Sequence, residues 1–418
     1  MSFDSERWLG SLDPIGWRFG LDRITALLAA LGDPQHEFES IHVVGTNGKS
    51  SVTLMTAALL EASGRPTGAY LSPHSERWAE RVRIRGTEIN AGAFGVAGEK
   101  VAAAVTAVES GFEEDERVTQ FEAATAAAFV ALTDAGVEIG VVEAGLGGRL
   151  DATNVLASSA TVLTSIGLDH TQWLGETERE ITAEKLAVLQ PGSTLVLGDI
   201  ADAVAVQARA LAAERHCEVL ETAKRIETSS AVPHSVHRGT FGLPAPYLER
   251  NLDVALAAAQ VVAGEIGEGV VERALGGLEL PGRFEIEGSD PPVIRDAAHN
   301  PDGAAALAEA VRAVAGKRPV IGCLAVLGDK DAAGIAEALA PVLSEAVCTQ
   351  IPPERLQGAG RPGTSSVEAW ELARLLEAAG VKATVRADPA EAIDDAIGMA
   401  RERSGVALLA GSHYLLSH

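Results

Sequence analysis

A glycine-rich turn between a β-branched run and a helical run constrains this chain more than any other stretch. Residues 41–44 read Ile-His-Val-Val and residues 45–51 read Gly-Thr-Asn-Gly-Lys-Ser-Ser, before a run typical of a helix. Glycines let the backbone approach an anion, helix N-terminal amides point toward it, and a lysine adds positive charge. We predict a phosphate-binding loop in an α/β domain, with an ordinary strand-to-helix turn as the alternative. The predicted phosphate contacts are Gly45, Thr46, Asn47, Gly48, Lys49, Ser50 and Ser51.

The composition restricts the classes of partner. The 418 residues carry a formal net charge of -24, which repels nucleic acid and anionic membranes, so local cations or a metal must hold any anionic substrate. Cys217, Cys323 and Cys348 are far apart and predict neither a disulfide framework nor a cysteine metal site, which fits a cytoplasmic location. We also expect no signal peptide and no apolar run long enough to cross a bilayer.

Two further strand-like runs end on side chains that can hold a metal. One ends at Glu143 and is followed by a glycine-rich turn over residues 144–154, and another leads into His170. Ligands of open α/β sheets bind at the carboxyl ends of the strands. Glu143 is therefore predicted to hold Mg²⁺ beside the phosphates, with a capping acid at a loop start as the alternative. His170 is a candidate at the same edge, against the alternative of a packed or surface histidine.

The segment 177–189 is predicted to be helical, and Thr177 with Glu180 fits a capping box at its start. It carries Lys185 among apolar neighbours. A lysine that faces inward is costly unless it is paired or modified. The simpler interpretation is an exposed helix lysine.

Residues 71–83 combine proline, several arginines and Trp78 in a predicted loop. Long loops with such content often carry function. A surface loop anchored by one tryptophan is the alternative.

A fresh alternation of strands and helices begins after the Leu-Glu-Leu-Pro-Gly-Arg-Phe segment at residues 278–284. It opens with a strand over 292–296 and a helix over 302–315 and continues to the end, which is typical of a Rossmann-like domain. We place the domains at residues 1–282 and 283–418. A short alternating run at 235–241 is expected to add an antiparallel strand.

Seven segments in order resemble the folylpolyglutamate synthase/dihydrofolate synthase family of the Mur ligase superfamily. They are Gly-Thr-Asn-Gly-Lys at 45–49, Ser-Pro-His at 72–74, Glu143 with Gly-Gly-Arg-Leu-Asp-Ala-Thr-Asn at 147–154, Gly-Leu-Asp-His at 167–170, Glu-Lys at 184–185, Pro-Gly-Arg at 281–283 and Asp-Ala-Ala-His-Asn-Pro at 296–301. The likeness covers essentially the full chain. It implies an α/β fold, with a P-loop-containing, Mur-ligase-like ATPase domain on a mostly parallel sheet and a smaller Rossmann-like C-terminal glutamate ligase domain.

The resemblance also implies an ATP-dependent acid–amino-acid ligase. ATP would phosphorylate a folate-type carboxylate, and the amine of L-glutamate would displace phosphate from the acyl phosphate. The acceptor would be dihydropteroate, a folate that is extended, or both. Lys49, Lys185 and His170 would be catalytic, and two Mg²⁺ ions would be held by Ser72, Glu143, His170 and Lys185. In the family the lysine that matches Lys185 is carbamylated, which turns a cation into an anionic metal ligand.

The remaining assignments implied by the resemblance concern binding. Beyond the phosphate loop, the nucleotide would contact Asn251, Arg283, Asp296 and His299. The pterin-containing acid would contact Arg81, Thr119, Phe121, Leu150, Asp151 and Ala152. Phe121 is also well explained as a core aromatic residue. The partners would be small molecules, without nucleic acid or membrane, and the protein would be a cytoplasmic monomer.

The sequence departs from the family pattern at a few positions. Ser50 and Ala297 stand where glycine is usual, and Ser75 replaces an apolar residue beside the Ser-Pro-His segment, which leaves the choice of acceptor open. One alternative is a Mur-type ligase for another acid; those carry a separate domain before the phosphate loop, whereas 44 residues precede it here. The other is a non-catalytic nucleotide-binding regulator, although the Asn-Lys-x-Asp segment of GTPase switches is absent.

Overall fold

The computed structural model describes most of the chain as two compact α/β units. The described residues are 3–12, 20–74, 76–113, 115–222, 242–356 and 364–416. One unit comprises Met1–Phe241 with Arg250–Leu278, and the other comprises Gly242–Glu249 with Glu279–His418. The α/β class is confirmed, whereas the predicted strand at 235–241 lies outside the described residues.

The first unit is built on an eight-stranded sheet with the order β4-β3-β2-β5-β1-β6-β7-β8. From β2 onward in this order neighbouring strands are parallel, while β3 and β4 form an antiparallel edge. The mostly parallel sheet is therefore confirmed. The strands are β1 Glu39–Val44, β2 Thr67–Tyr70, β3 Val82–Ile84, β4 Thr87–Glu88, β5 Ile139–Glu143, β6 Ala160–Leu163, β7 Thr194–Leu197 and β8 Glu218–Glu221.

The central strands β1 and β5 are buried on both faces and therefore read as continuous apolar runs. Helices packed against this sheet supply the remaining core of the first unit. The helices up to residue 276 are Ser5–Ser11, Asp22–Ala30, Lys49–Ala62, Ala91–Glu109, Gln120–Asp134, Thr171–Leu174, Glu178–Lys185, Asp202–Glu214, Pro246–Ala263 and Glu268–Gly276, with 3-10 turns at Pro34–His36, Trp78–Arg81 and Leu186–Val188.

Residues 71–83 are not the simple loop predicted from the sequence, because the segment contains a 3-10 turn and leads into an edge strand of this sheet. The segment closes with the 3-10 turn Trp78–Arg81, and the chain then enters the three-residue strand β3. A strand this short shows no readable alternation of polar and apolar residues, because the side-chain period is two. The sequence pattern therefore missed it.

The helix Ala91–Glu109 corrects the expectation that no apolar run could cross a bilayer. By length and composition alone it is long enough to do so. In the structure it contacts the helices Asp22–Ala30 and Gln120–Asp134 and buries Phe94 and Val101 in the core. Of the apolar stretch of this helix, 39% is buried inside the protein.

The second unit is built on a six-stranded sheet with the order β13-β12-β11-β14-β10-β9. All neighbours pair in parallel except β9, which is antiparallel to β10. The strands are β9 Glu285–Glu287, β10 Val293–Asp296, β11 Val320–Leu324, β12 Glu345–Cys348, β13 Lys382–Val385 and β14 Val406–Ala410. The helices are Pro301–Ala315, Ala332–Leu339, Pro353–Leu356, Ala369–Ala378, Pro389–Glu402 and His413–Leu416, with a 3-10 turn at Ala340–Val342. Parallel strands joined by helices agree with the Rossmann-like expectation.

Candidate active site

The glycine-rich turn links β1 to the helix that begins at Lys49. Gly45 and Gly48 both have positive φ, at 149° and 84°. A Cβ atom at Gly45 would lie 2.0 Å from Oγ1 of Thr164, and one at Gly48 would lie 2.9 Å from Oδ1 of Asn251. Both positions therefore exclude a side chain, and the Asn251 side chain adjoins the loop. The first amides of the helix have no partner within it, so they can face an anion.

Hydroxyl groups that follow β6 hold the turn in shape. The Thr46 amide donates to the Ser165 carbonyl at 2.9 Å, and the Asn47 amide donates to Oγ of Ser165 at 2.9 Å. Oγ1 of Thr164 donates to the Asn47 carbonyl at 2.7 Å. Sequence reasoning missed Thr164 and Ser165, although polar residues directly after a buried strand were a usable signal.

Glu143 is the last residue of β5, is buried, and accepts hydrogen bonds from two other predicted site residues. Oγ of Ser50 donates to its Oε1 at 3.1 Å, and the Ser72 amide donates to its Oε2 at 3.3 Å. The structure therefore brings Ser50, Ser72 and Glu143 together at the carboxyl edge of the sheet. Lys49 lies in the same loop, where its Nζ donates to the Thr46 carbonyl at 3.2 Å.

His170 lies in the loop after β6 with a left-handed φ of 51°. Its amide donates to Oδ1 of Asp169 at 2.9 Å. Among the residues that the structure describes, no group of three or more His, Cys, Asp or Glu side chains forms a metal site. A divalent cation held at this edge would therefore complete its coordination with water or phosphate oxygens, as Mg²⁺ commonly does.

Lys185 is buried, so the interpretation as an exposed helix lysine is wrong. Its Nζ donates to the Gly45 carbonyl at 2.9 Å, which places the amine beneath the phosphate loop. Burial, reinforced by the charge of Lys49, lowers its pKa to about 7. Three carboxylates oppose that shift, namely Asp169, Asp151 and Glu184.

The glycine-rich turn after β5 packs against the end of the helix that carries Lys185. A Cβ at Gly148 would lie 2.5 Å from the Lys185 carbonyl and 2.8 Å from that of Glu184. The Arg149 amide donates to the Glu184 carbonyl at 3.1 Å. The Gly-Gly-Arg part of the segment therefore fixes the end of the helix Glu178–Lys185 against the loop.

The substitution Lys185→Met is expected to alter how folding stability depends on pH. The folded-state pKa is about 7 and the ordinary value is 10.5, so between them the unfolded chain binds the additional proton. The free energy of unfolding of the wild type should therefore rise relative to that of the variant from about pH 7 to about pH 10, by up to about 1.4 kcal/mol per pH unit.

Urea denaturation in metal-free buffer without carbon dioxide measures this difference. Lys100→Met is the matched control, because the Lys100 side chain is 49% exposed and pairs with Asp134 at the surface. A difference between wild type and Lys185→Met that does not vary with pH would contradict the lowered pKa.

Arg81 is buried at the end of the 3-10 turn, beside aromatic rings. Its Nε donates to Nδ1 of His74 at 2.8 Å, and its guanidinium carbon lies 4.5 Å from the ring centroid of Trp78 and 6.0 Å from that of Phe121. Burial and the charge of Arg81 lower the pKa of His74 to about 3. The buried Trp78 fits the alternative of a surface loop anchored by one tryptophan, but His74 and Arg81 are buried as well, so the anchor is larger than that alternative assumed.

Asp151 lies in a buried hydrogen-bond chain. It accepts hydrogen bonds from the Leu146 amide at 2.7 Å and from Oγ1 of Thr153 at 2.5 Å. Nε2 of His42 lies 2.8 Å from the same Thr153 oxygen. Burial raises the pKa of Asp151 against these hydrogen bonds and lowers that of His42 to about 4. Sequence reasoning missed His42 and Thr153, which no local pattern distinguished from strand and turn residues.

The other residues assigned to the acid substrate differ in environment. Thr119 caps the helix Gln120–Asp134, and its oxygen accepts from the Glu122 amide at 3.2 Å. Phe121 is partly buried beside Arg81, Ala152 is buried and Leu150 is 41% exposed. The hydroxyl of Thr119 thus accepts a capping hydrogen bond and still has its own proton to donate.

The second unit has its own buried acid, Asp296, at the end of β10. It accepts hydrogen bonds from the Tyr247 hydroxyl, from the Phe284 amide at 2.9 Å and from the Ala298 amide at 2.8 Å. Burial raises its pKa, while the Tyr247 hydrogen bond and the charge of Arg283 act in the opposite direction. The structure therefore brings Arg283 and Asp296 together and adds Tyr247, which sequence reasoning missed.

His299 lies in the turn that follows the same strand. Its Nδ1 lies 2.9 Å from the Ala297 carbonyl, and its ring centroid is 5.9 Å from that of His413. The loops after β10 and β14 meet here because these strands are parallel neighbours.

Comparison with known proteins finds relatives that match almost the whole chain. A protein-family model described as the Mur ligase, glutamate ligase domain matches residues 282–413. The dihydrofolate synthase/folylpolyglutamate synthase of Mycobacterium tuberculosis is 32% identical, and the match covers 96% of this chain and 89% of that protein.

Two solved structures are similar over almost the whole chain. Mycobacterium tuberculosis folylpolyglutamate synthase complexed with ADP has a TM-score of 0.87 at 29% identity, covering 99% of this chain and 96% of that one. The bifunctional folylpolyglutamate synthase/dihydrofolate synthase of Yersinia pestis, complexed with AMPPNP and a Mn ion, has a TM-score of 0.81 at 28% identity, covering 99% and 95%. This chain belongs to the dihydrofolate synthase/folylpolyglutamate synthase family of Mur-type ligases.

Proposed function

We propose that this protein is an ATP-dependent ligase that joins L-glutamate to a folate-type carboxylate through an acyl phosphate. The observation that carries this proposal is the phosphate loop with Lys49, set against a buried Glu143 that two loop groups contact. The relatives support it, since their names specify both synthase activities and ATP analogues. The acceptors proposed here are dihydropteroate and folates.

The chemistry follows from charge. A carboxylate is a poor acyl donor, because an oxide ion is a poor leaving group, and phosphorylation supplies phosphate as a good one. In phosphoryl transfer the negative charge is spread over the oxygens of the transferred group and the leaving oxygen, so catalysis depends on positioning and electrostatic neutralisation. Lys49 and the loop amides would hold the terminal phosphates of ATP, with Ser50 and Ser51 beside them.

The donor set at this edge fits a hard divalent cation. A buried carboxylate, a hydroxyl and an imidazole are ligands that Mg²⁺ and Mn²⁺ accept. Ser72, Glu143 and His170 would hold Mg²⁺, and the ion would neutralise charge on the phosphates. We also propose a second ion held by carbamylated Lys185. The reaction of its amine with carbon dioxide, with loss of a proton, would replace a buried cation near Lys49 with an anion.

The domain boundary and the binding residues complete the proposal. Residues 1–282 would form the ATP-binding domain and residues 283–418 the glutamate ligase domain, supported by a family match that begins at 282 and by compact units that divide at Leu278. Asn251, Arg283, Asp296 and His299 would contact the nucleotide. Arg81, Phe121, Asp151 and Ala152 would contact the acid, with Thr119 and Leu150 as further candidates. We propose a cytoplasmic monomer with small-molecule partners.

A coupled assay of ADP release tests the function. The protein is supplied with ATP and Mg²⁺, with and without L-glutamate, and with dihydropteroate or tetrahydrofolate as separate acceptors. We expect ADP release that requires both glutamate and an acceptor, and a product heavier by one glutamyl group by mass spectrometry. If the rate of ADP release is the same with and without either acceptor, the folate assignment is contradicted, and another acid or a regulatory role is favoured.

A further inference from the structure

Arg81 is a buried cation whose charge no carboxylate of the described chain balances in an ion pair. Arg81 is 5% exposed, and its Nη1 group has no hydrogen-bond partner within the described residues. An unpaired buried charge and an unsatisfied buried donor are both unfavourable. The Tyr70 side chain also interacts with Arg81, and the Nη1 group keeps the capacity to donate to an oxygen atom from outside the chain.

His74 determines where that donor points. An arginine side chain is always a donor, so the 2.8 Å contact between Arg81 Nε and His74 Nδ1 requires that Nδ1 accept. His74 is therefore neutral, with its proton on Nε2. One of the five guanidinium donors is thus fixed, and because the group is planar the directions of the others follow.

Trp78 fixes the guanidinium plane from a second direction. Its ring lies 4.5 Å from the guanidinium carbon and 4.4 Å from the His74 ring. The backbone under Trp78 is anchored in turn, because the amides of Trp78 and Ala79 donate to the Glu6 carboxylate at 2.7 and 2.9 Å. The arginine therefore sits in a prearranged holder rather than at the end of a mobile side chain.

We infer that His74 is a positioning residue that orients Arg81 so that its unpaired Nη1 group binds a negatively polarised oxygen of the acid substrate. This inference rests on the proposed function and deepens it, because it names the residue that prepares Arg81. His74 does not touch the substrate; it acts through the hydrogen bond to Nε. Preorganisation of this kind improves binding by reducing the entropy lost on association.

Steady-state kinetics of single variants at His74, His36 and Arg81, and of one double variant, test the inference in the full chain. His74→Leu removes the acceptor, whereas His74→Asn can place Oδ1 where Nδ1 lies. His74→Gln places its amide nearer the Nε2 position and should behave like leucine. The exposed His36 provides the matched control His36→Leu.

We expect His74→Leu to raise the KM for dihydropteroate about tenfold or more, because a hydrogen bond to a charged group is lost. The KM values for ATP and L-glutamate should stay within about twofold of wild type, and His74→Asn should recover most of the loss. In an Arg81→Met background, His74→Leu should add little, since residues that act as a unit are not additive.

Several outcomes would overturn the inference. They are equal effects of His74→Asn and His74→Leu, equal increases in all three KM values, and full additivity with Arg81→Met. If His74→Leu does not fold, the contrast between asparagine and glutamine carries the same test. If ADP release by the wild type does not depend on a pteroate acid, the proposed function is overturned, and the role of His74 falls with it.

Discussion

Lys49→Ala is expected to lower turnover about 1,000-fold with either acceptor, on the scale seen when one preorganised group that stabilises transition-state charge is removed. Lys49 is the cation of the phosphate loop, and its Nζ donates a hydrogen bond to the Thr46 carbonyl of that loop at 3.2 Å. Removing it leaves the backbone amides in place but takes away the charge that neutralises the transferring phosphoryl group. The loss should appear mainly in kcat.

Initial rates of ADP release measure this effect at saturating ATP, with circular dichroism to establish folding. Lys100→Ala is the control, because Lys100 pairs with Asp134 at the surface, where such pairs contribute little. Activity of Lys49→Ala within about tenfold of wild type would show that the loop does not hold the reacting phosphates.

Glu143→Gln should have the second large effect, a decrease in kcat of about 100-fold or more together with a higher metal concentration for half-maximal activity. The substitution keeps the shape of the side chain and removes its charge. In the wild type, Ser50 and the Ser72 amide donate to different oxygens of the Glu143 carboxylate. Glutamine has a single side-chain oxygen, so it can replace only one of these two acceptors. A divalent cation would then lose its anionic ligand.

Titration with Mg²⁺ and with Mn²⁺ separates this metal effect from a general loss of activity. Glu138→Gln is the matched control, because Glu138 directly precedes the same strand β5. The Glu138 side chain is 54% exposed and pairs with Arg65 at 3.0 Å. An unchanged metal requirement in Glu143→Gln would assign Glu143 a structural role as a loop cap, the alternative that the sequence left open.

Regular, local features were readable without coordinates. The β-branched run before Gly45, the glycine spacing and the helix that follows predicted a strand, a turn and a helix, and the structure has β1, the turn and Lys49–Ala62 in that order. The capping box of Thr177 and Glu180 was likewise predicted and is present. These signals are readable because caps, tight turns and buried parallel strands depend on residues adjacent in sequence.

The short edge strands and the helix Ala91–Glu109 could not be read in the same way. Three residues of β3 carry too little alternation to register, and a helix of alanine, glycine and valine shows no clear polar face. Their conformations depend on neighbours distant in the chain. Pattern alone does not contain that information.

The order of the residues was enough to indicate an α/β chain with a phosphate loop, a strand-end carboxylate and a family likeness, since each of these rests on short segments and their succession. Folding alone decided that Lys185 is buried beneath Gly45, that His74 holds Arg81, and that His42 and Tyr247 support two buried acids. The reason is physical. Burial, pKa and hydrogen-bond direction are set by side chains that are not adjacent in sequence, from seven to 140 residues apart in these cases, and that meet only when the chain folds.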